Sequence, residues 1–224
     1  MVFDDITRSS YKCITRHEVS LINLLCRYKV KGKVVEFYND PVKVDEYEKM
    51  CDEYDGTELY KVLVKHLAGN STLLELGSGP GNDINYLKKK YSVTGSDLSD
   101  EFLTRCKKKY ADVPFIKLDA VSINADKLFD CVFSNKVLHH LTLEELEKSL
   151  KRQQEVIVKN GLFAHTFWLG DKEFTMEGML FMFHNREHLV KLVSKYFTIL
   201  KLYDYKEFEE GDSIFILAKN DKNA

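Results

Sequence analysis

From residue 72 onward, short apolar runs alternate with longer stretches whose apolar positions recur every three or four residues. The runs at 72–77, 93–97, 114–118, 129–134 and 162–169 are too short for helices and read as strands. The stretches at 82–91, 99–109, 143–159 and 187–196 read as helices. Their ends carry the expected chemistry. Asn82 and Asp83 open the first. Ser99 opens the second, with Asp100 and Glu101 in its first turn and Lys107, Lys108 and Lys109 at its end, which suits the helix dipole. Thr142 caps the third, and Asn160-Gly161 reads as its stop. Two last strands, 198–205 and 213–219, are joined by only about seven residues, too few for a right-handed crossover. They must pair antiparallel. The expectation is an α/β fold, a three-layer sandwich around a seven-stranded, mostly parallel sheet with an antiparallel C-terminal hairpin strand.

The upstream part is less periodic. Residues 19–28 read as a short apolar helix, Asn39-Asp-Pro41 as a turn, and 44–50 as another helix start. This divides the chain into an N-terminal arm, 1–45, forming part of a lid over cofactor or substrate, and a ligand-binding domain, 46–224. No internal repeat or low-complexity tract interrupts either part.

Composition narrows the function. Thirty-three Lys+Arg against 35 Asp+Glu give a net charge of −2, which argues against affinity drawn from a general phosphate-backbone field. No run approaches 18 apolar residues, so no membrane span is expected, and the acidic start MVFDDITRSSYK does not read as a secretory leader. Five scattered cysteines without a Cys-x-x-Cys pair argue against a cysteine metal site and for reduced thiols in the cytoplasm. No metal is expected, and oligomeric state is left open.

The densest signal is Glu75-Leu-Gly77-Ser78-Gly79-Pro-Gly81-Asn82, between a strand and a helix. Glycines allow a sharp turn and close approach of a ligand, and the helix behind points amide groups at an anionic or carboxylate-bearing group. There is no Gly-Lys-Ser/Thr for a P-loop. The G-x-G-x-x-G dinucleotide spacing fails in both registers, because Asn82 or Ile84 stands where its third glycine belongs. Acids end the next strands: Asp97 followed by Leu98, and Asp119 followed by Ala120. After the fourth strand comes Ser134-Asn135-Lys-Val-Leu-His139-His140.

This order of residues resembles the class I S-adenosylmethionine-dependent methyltransferases, over about residues 46–220. The family motif E/D-x-G-x-G-x-G is met by Glu75, Gly77, Gly79 and Gly81. The resemblance implies a Rossmann-like methyltransferase fold with S-adenosyl-L-methionine as cofactor and S-adenosyl-L-homocysteine as product. It further implies that Asp97 binds the ribose hydroxyls and Asp119-Ala120 the adenine edge, with Ser78, Leu98 and Asn135 lining the same site. Tyr47 or Tyr54, from the arm side, would cover the methionine end. The hydroxyl pair and the adenine amino group are donors, so carboxylates suit them.

Methyl transfer from a sulfonium is an in-line displacement in which the protein aligns and desolvates. His139 and His140 are the candidate bases, or else one packs on the sheet and the other caps a helix. His165 and Trp168 lie near the end of the fifth strand. Phe174, Met179 and Phe183 lie in 170–185, which forms either an adaptable apolar wall for an acceptor or a short helix packed on the core. The leading expectation is methyl transfer to a small-molecule acceptor. An RNA or protein methyltransferase stays as an alternative, weakened by the missing Asp/Asn-Pro-Pro-Tyr/Phe signature. A non-catalytic cofactor-binding partner subunit stays as another, opposed by the intact loop and acids. A dehydrogenase is opposed by the glycine spacing.

Overall fold

A computed structural model describes residues 37–221. The expected helix at 19–28, Cys13, Cys26 and most of the proposed arm lie outside the described residues. The first complete helix, α1 (Pro41–Cys51), starts with Pro41 in its first turn and Asp40 accepting from the Val42 amide (2.9 Å), a cap worth about 1 kcal/mol. It runs across the expected division at 45/46, so no element ends there. Helix α2 (Thr57–Val64) follows.

Seven strands then form one sheet: β1 (Thr72–Leu76), β2 (Ser92–Asp97), β3 (Phe115–Lys117), β4 (Phe129–Ser134), β5 (Ile157–Trp168), β8 (Thr198–Tyr205) and β9 (Ser213–Lys219). Their spatial order is β3-β2-β1-β4-β5-β9-β8. Strand β9 is antiparallel to both neighbours, and the remaining pairings are parallel. Helices α3 (Asn82–Leu87), α4 (Asp100–Lys109), α5 (Leu143–Val156) and α6 (Arg186–Tyr196) connect the strands. Helices α2, α3 and α4 bury Leu63, Ile84, Leu87 and Cys106 against one face of the sheet. Helices α5 and α6 bury Leu146, Leu150, Leu189 and Val193 against the other, where Phe163, Phe167 and Phe197 are completely covered. Each such ring contributes about 1.5–3 kcal/mol. The three-layer expectation therefore holds.

The strand order reverses between β1 and β4, which are hydrogen-bonded neighbours. In open α/β sheets this switch point is where ligands bind, outside the carboxyl ends of the strands. Glu75 lies beside Gly95 of β2 and Phe133 of β4. The register therefore brings the glycine loop, Asp97 and Asn135 to one rim.

Three boundaries differ from the sequence expectation. Helix α5 stops at Val156, and Ile157 already pairs with Phe129. The β-branched run Val156-Ile-Val prefers extended backbone. Asn160, at φ 65°, is an irregularity within the long strand rather than a helix stop. Helix α3 ends at Leu87 rather than 91. Residues 170–185 hold no helix. They fold as a separate hairpin, β6 (Glu173–Met176) with β7 (Met179–Met182), turning on Glu177 (φ 51°) and Gly178 (φ 79°). Two consecutive positive φ values are the mark of a tight hairpin turn. Apolar density alone cannot separate a buried strand from a buried helix.

Candidate active site

The glycine loop begins as β1 ends. Gly77 adopts φ 64°, and a Cβ there would stand 2.6 Å from the Val137 side chain. Both backbone and space demand glycine. The loop is tied to β2 by Ser78 N–H donating to the Ser96 carbonyl (2.8 Å) and Ser96 N–H donating to Ser78 Oγ (3.0 Å). Cys106 Sγ and the Tyr110 hydroxyl donate to the carbonyls of Gly79 and Gly81. At Gly79 (φ 48°) the position of a Cβ would be open except for the Tyr47 ring, 3.9 Å away. Tyr47 thus covers the loop from α1, in edge contact with Tyr38 and Phe102.

Asp97 accepts from the Gly79 amide at Oδ2 (2.9 Å) and from the Ser99 amide at Oδ1 (2.8 Å). Each oxygen keeps a lone pair for a further donor. Burial raises its pKa against those amide bonds. Asp119 holds the turn after β3 by accepting from the Val121 amide (2.9 Å). The Leu118 amide donates to the Asp97 carbonyl (3.0 Å), and this bond sets the Asp97-Leu98 and Asp119-Ala120 pairs side by side. Leu98, Asp119 and Ala120 are half-buried.

Glu75 is 1% exposed, and its Oε2 has no hydrogen-bond partner. Burial, then Asp83 and Asp97, hold its carboxyl well above the usual range. Asp83, which the sequence offers only as a helix-opening residue, is also buried. It accepts from the Tyr60 hydroxyl (2.6 Å) and from Asn135 Nδ2 (3.3 and 3.4 Å). Burial raises it to about 6 against those bonds. Asn135 Nδ2 also donates to the Tyr54 hydroxyl, and its Oδ1 accepts from Thr166 Oγ1 (2.8 Å). Glu75, Asp83, Asp97, Asn135, Tyr47 and Tyr54 therefore gather at the ends of β1, β2 and β4.

The aromatic wall stands beyond β4. His139 stacks on Trp168 (4.4 Å between centroids), Trp168 on Phe183 (5.1 Å), and Phe174 on Phe181 (5.1 Å). Met179, completely buried, packs beneath the hairpin with Trp168 and Phe181. His139 is 3% exposed, and neither ring nitrogen has a partner; Trp168 Nε1 has none either. Burial and the neighbouring His140 and Lys136 charges hold His139 well below the usual imidazole range. His140 Nδ1 meets the Leu180 carbonyl (2.7 Å), and burial lowers its pKa to about 4. His140 anchors the hairpin; the helix cap is Thr142. His165 sits elsewhere, fully buried on the opposite face of β5 from Trp168, with Nδ1 on Ser134 Oγ (2.6 Å). Its place is in the core beside Phe163.

Lys136 is the other residue the sequence does not flag. Positive φ (53°) turns it under the wall, where its ammonium meets Ser213 Oγ (2.7 Å) and Glu207 Oε2 (2.8 Å) and lies over the Trp168 ring (5.2 Å). Burial lowers its pKa to about 8 in spite of Glu207.

Residues 74–165 match the family profile described as a methyltransferase domain. That profile covers about two fifths of the chain, and several of the solved structures that share its fold are S-adenosylmethionine-dependent methyltransferases. The chain is 30% identical over 105 residues to a trans-aconitate 2-methyltransferase of Methylobacterium nodulans, covering 44% of this chain and 41% of that one. It is 29% identical over 129 residues to an uncharacterised methyltransferase of Oceanobacillus iheyensis, covering 56% and 59%. The chain thus spans about two fifths to three fifths of the length of these relatives. Among solved structures, its fold resembles the 1,6-didemethyltoxoflavin N1-methyltransferase of Burkholderia thailandensis (TM-score 0.69, 19% identity, 92% and 91% of the chains). It also resembles the magnesium protoporphyrin IX methyltransferase of Synechocystis (TM-score 0.66, 15% identity, 83% and 97%).

The toxoflavin-precursor and protoporphyrin enzymes hold S-adenosylhomocysteine, and the donor set of this site fits a group of that kind. The unpartnered Glu75 Oε2 suits an ammonium group. The spare lone pairs of Asp97 suit a vicinal diol, and Gly79 leaves room for close approach.

Proposed function

We propose that the protein transfers the methyl group of S-adenosylmethionine to a small-molecule acceptor held against the aromatic wall. The observation that carries this reading is the continuous stack His139–Trp168–Phe183 at the end of β5, containing three buried ring nitrogens without partners. Stacked faces favour a planar acceptor, and unpaired nitrogens favour one with polar edges, because leaving them unpaired costs free energy. The toxoflavin-precursor and protoporphyrin enzymes that share the fold have planar rings in the names of their substrates.

In this reading Glu75 receives the amino group, while Gly77, Ser78, Gly79 and Gly81 shape the backbone around the methionine end beneath Tyr47 and Tyr54. Asp97 receives the ribose hydroxyls. Asp119 receives the adenine amino group, the Ala120 amide meets a ring nitrogen, and Leu98 packs on the ring. Asn135 stands between the cofactor and acceptor sides. When bound there, the cofactor supplies a methyl group activated by a sulfonium. The protein's part is alignment and exclusion of water. His139 and His140, both neutral near pH 7 by their lowered pKa values, accept or orient a proton of an acceptor that carries one and are idle toward a carboxylate. Trp168, Phe174, Met179 and Phe183 form the wall, and His165, on the other face of β5 with Ser134 and Phe163, stands apart from it. No described helix is long and apolar enough to cross a membrane. Together with the free thiols of Cys51, Cys106 and Cys131, this supports our placement in the cytoplasm.

The test is an acceptor screen following S-adenosylhomocysteine release over planar heteroaromatic acids and phenols, aliphatic carboxylates, RNA and protein. Turnover of a planar small molecule, reduced at least tenfold by Trp168→Ala with unchanged S-adenosylhomocysteine affinity, is expected. Turnover on RNA or protein alone would overturn the reading.

A further inference from the structure

Two buried carboxylates face the cofactor side with no cation to balance them. Glu75 and Asp83 are 1% and 8% exposed. Asp83 is held by the Tyr60 hydroxyl and Asn135 Nδ2, both neutral donors. Glu75 Oε2 is held by nothing. Among the described residues neither carboxylate forms an ion pair. The cation nearest in the chain to Asn135, Lys136, turns the other way and is committed to Glu207 and Ser213. Burying one carboxylate without a countercharge is costly, and burying two side by side is more so. A structural acid would be placed beside Lys or Arg. Here neutral donors fix the direction of Asp83 and leave its charge unspent.

The occupants of this site differ in charge. S-adenosylmethionine carries an ammonium, a sulfonium and a carboxylate, net +1. S-adenosylhomocysteine carries only the ammonium and the carboxylate, net zero. Glu75 answers the ammonium, which both share, so it cannot tell them apart. Asp83 has no such partner. Through Asn135, the first residue past β4, it sits where the cofactor side meets the acceptor side.

We propose that Asp83 selects the cofactor by charge: its carboxylate, aimed by Tyr60 and Asn135, favours the cationic sulfonium cofactor over the neutral thioether product and so promotes product release. The inference rests on the cofactor reading above and adds to it a residue outside the glycine motif. The attraction acts from a buried carboxylate, whose charge is screened far less than in water.

Calorimetry at pH 7.5 tests it without turnover. The probes are S-adenosylhomocysteine and its analogue with a protonated amine in place of the sulfur. The wild-type protein is expected to bind the cationic analogue at least tenfold more tightly than the neutral product. In Asp83→Asn the ratio is expected to fall to within about twofold, with the S-adenosylhomocysteine affinity changed less than threefold. Asp83→Glu is expected to keep the preference. Equal weakening of both ligands in Asp83→Asn would make the residue merely structural and overturn the proposal, as would equal affinities in the wild type. If Asp83→Asn fails to fold, the wild-type ratio is measured at pH 5, below the raised carboxyl pKa of about 6, where it must fall; an unchanged ratio overturns the proposal. Binding of neither probe to the wild type would instead overturn the cofactor reading.

Discussion

At the residue scale, the site is a set of acids whose roles differ by their partners. Asp97 binds two loop amides and still has acceptor capacity, whereas Glu75 has an oxygen with no partner at all. A ribose role for Asp97 predicts that Asp97→Ala weakens S-adenosylhomocysteine binding by about 1–3 kcal/mol, the scale of a lost charged hydrogen bond. Adenosine, which keeps the ribose and lacks the amino acid, should lose a similar amount by calorimetry. Retained adenosine affinity would mean that the residue only clamps Gly79. Glu75 and Asp97 are legible in the sequence because a strand, a glycine spacing and a following acid are local facts. Asp83 is not. An acid two residues after a glycine loop looks like an ordinary first-turn residue. Its meaning comes from Tyr60 and Asn135, 23 and 52 positions away.

At the scale of elements, the β6–β7 hairpin forms the acceptor side in the proposed reading. It carries Phe174, Met179 and Phe181, and it is held by its own pairing and by His140 bonded to the Leu180 carbonyl. Its turn depends on Gly178 at φ 79°, a conformation costing about 1–2 kcal/mol for a residue with a side chain. Gly178→Val should therefore speed amide hydrogen exchange across β6 and β7 and raise the acceptor KM several-fold, with the S-adenosylhomocysteine Kd unchanged. Protection equal to wild type would show that the hairpin does not depend on this turn. The sequence left this segment open between wall and helix. Its Phe and Met residues satisfy either period, and only the Trp168–Phe181–Phe183 contacts choose the hairpin.

For the whole molecule, buried acids set a pH dependence. Asp83 has its carboxyl raised from 3.8 to about 6 by burial, so the folded state holds that proton more tightly than the unfolded chain. The sign is opposite to that of a salt-bridged acid. The associated stability is full below about pH 4 and is lost as pH rises through about 6. The interval, at about 1.4 kcal/mol per pH unit, corresponds to about 3 kcal/mol. Urea unfolding of the ligand-free wild type, measured relative to Asp83→Asn, should show this loss between pH 4 and 6.5. A flat difference would mean that Asp83 titrates as an exposed acid does. The raised carboxyl of Glu75 acts in the same direction.

The sequence by itself determined the alternation of strands and helices, the antiparallel end of the sheet and the identity of the glycine loop with its acids. Each depends on neighbours within a few residues or on the length of a connection. Only the tertiary structure decided that α5 yields to strand at Ile157, that 170–185 is a hairpin, that His165 belongs to the core, and that Lys136 is buried against Glu207 while Asp83 is buried against neutral donors alone. Those outcomes turn on which surfaces meet across the sheet and on how far each charge is removed from water. Neither is a property of any stretch of chain taken alone.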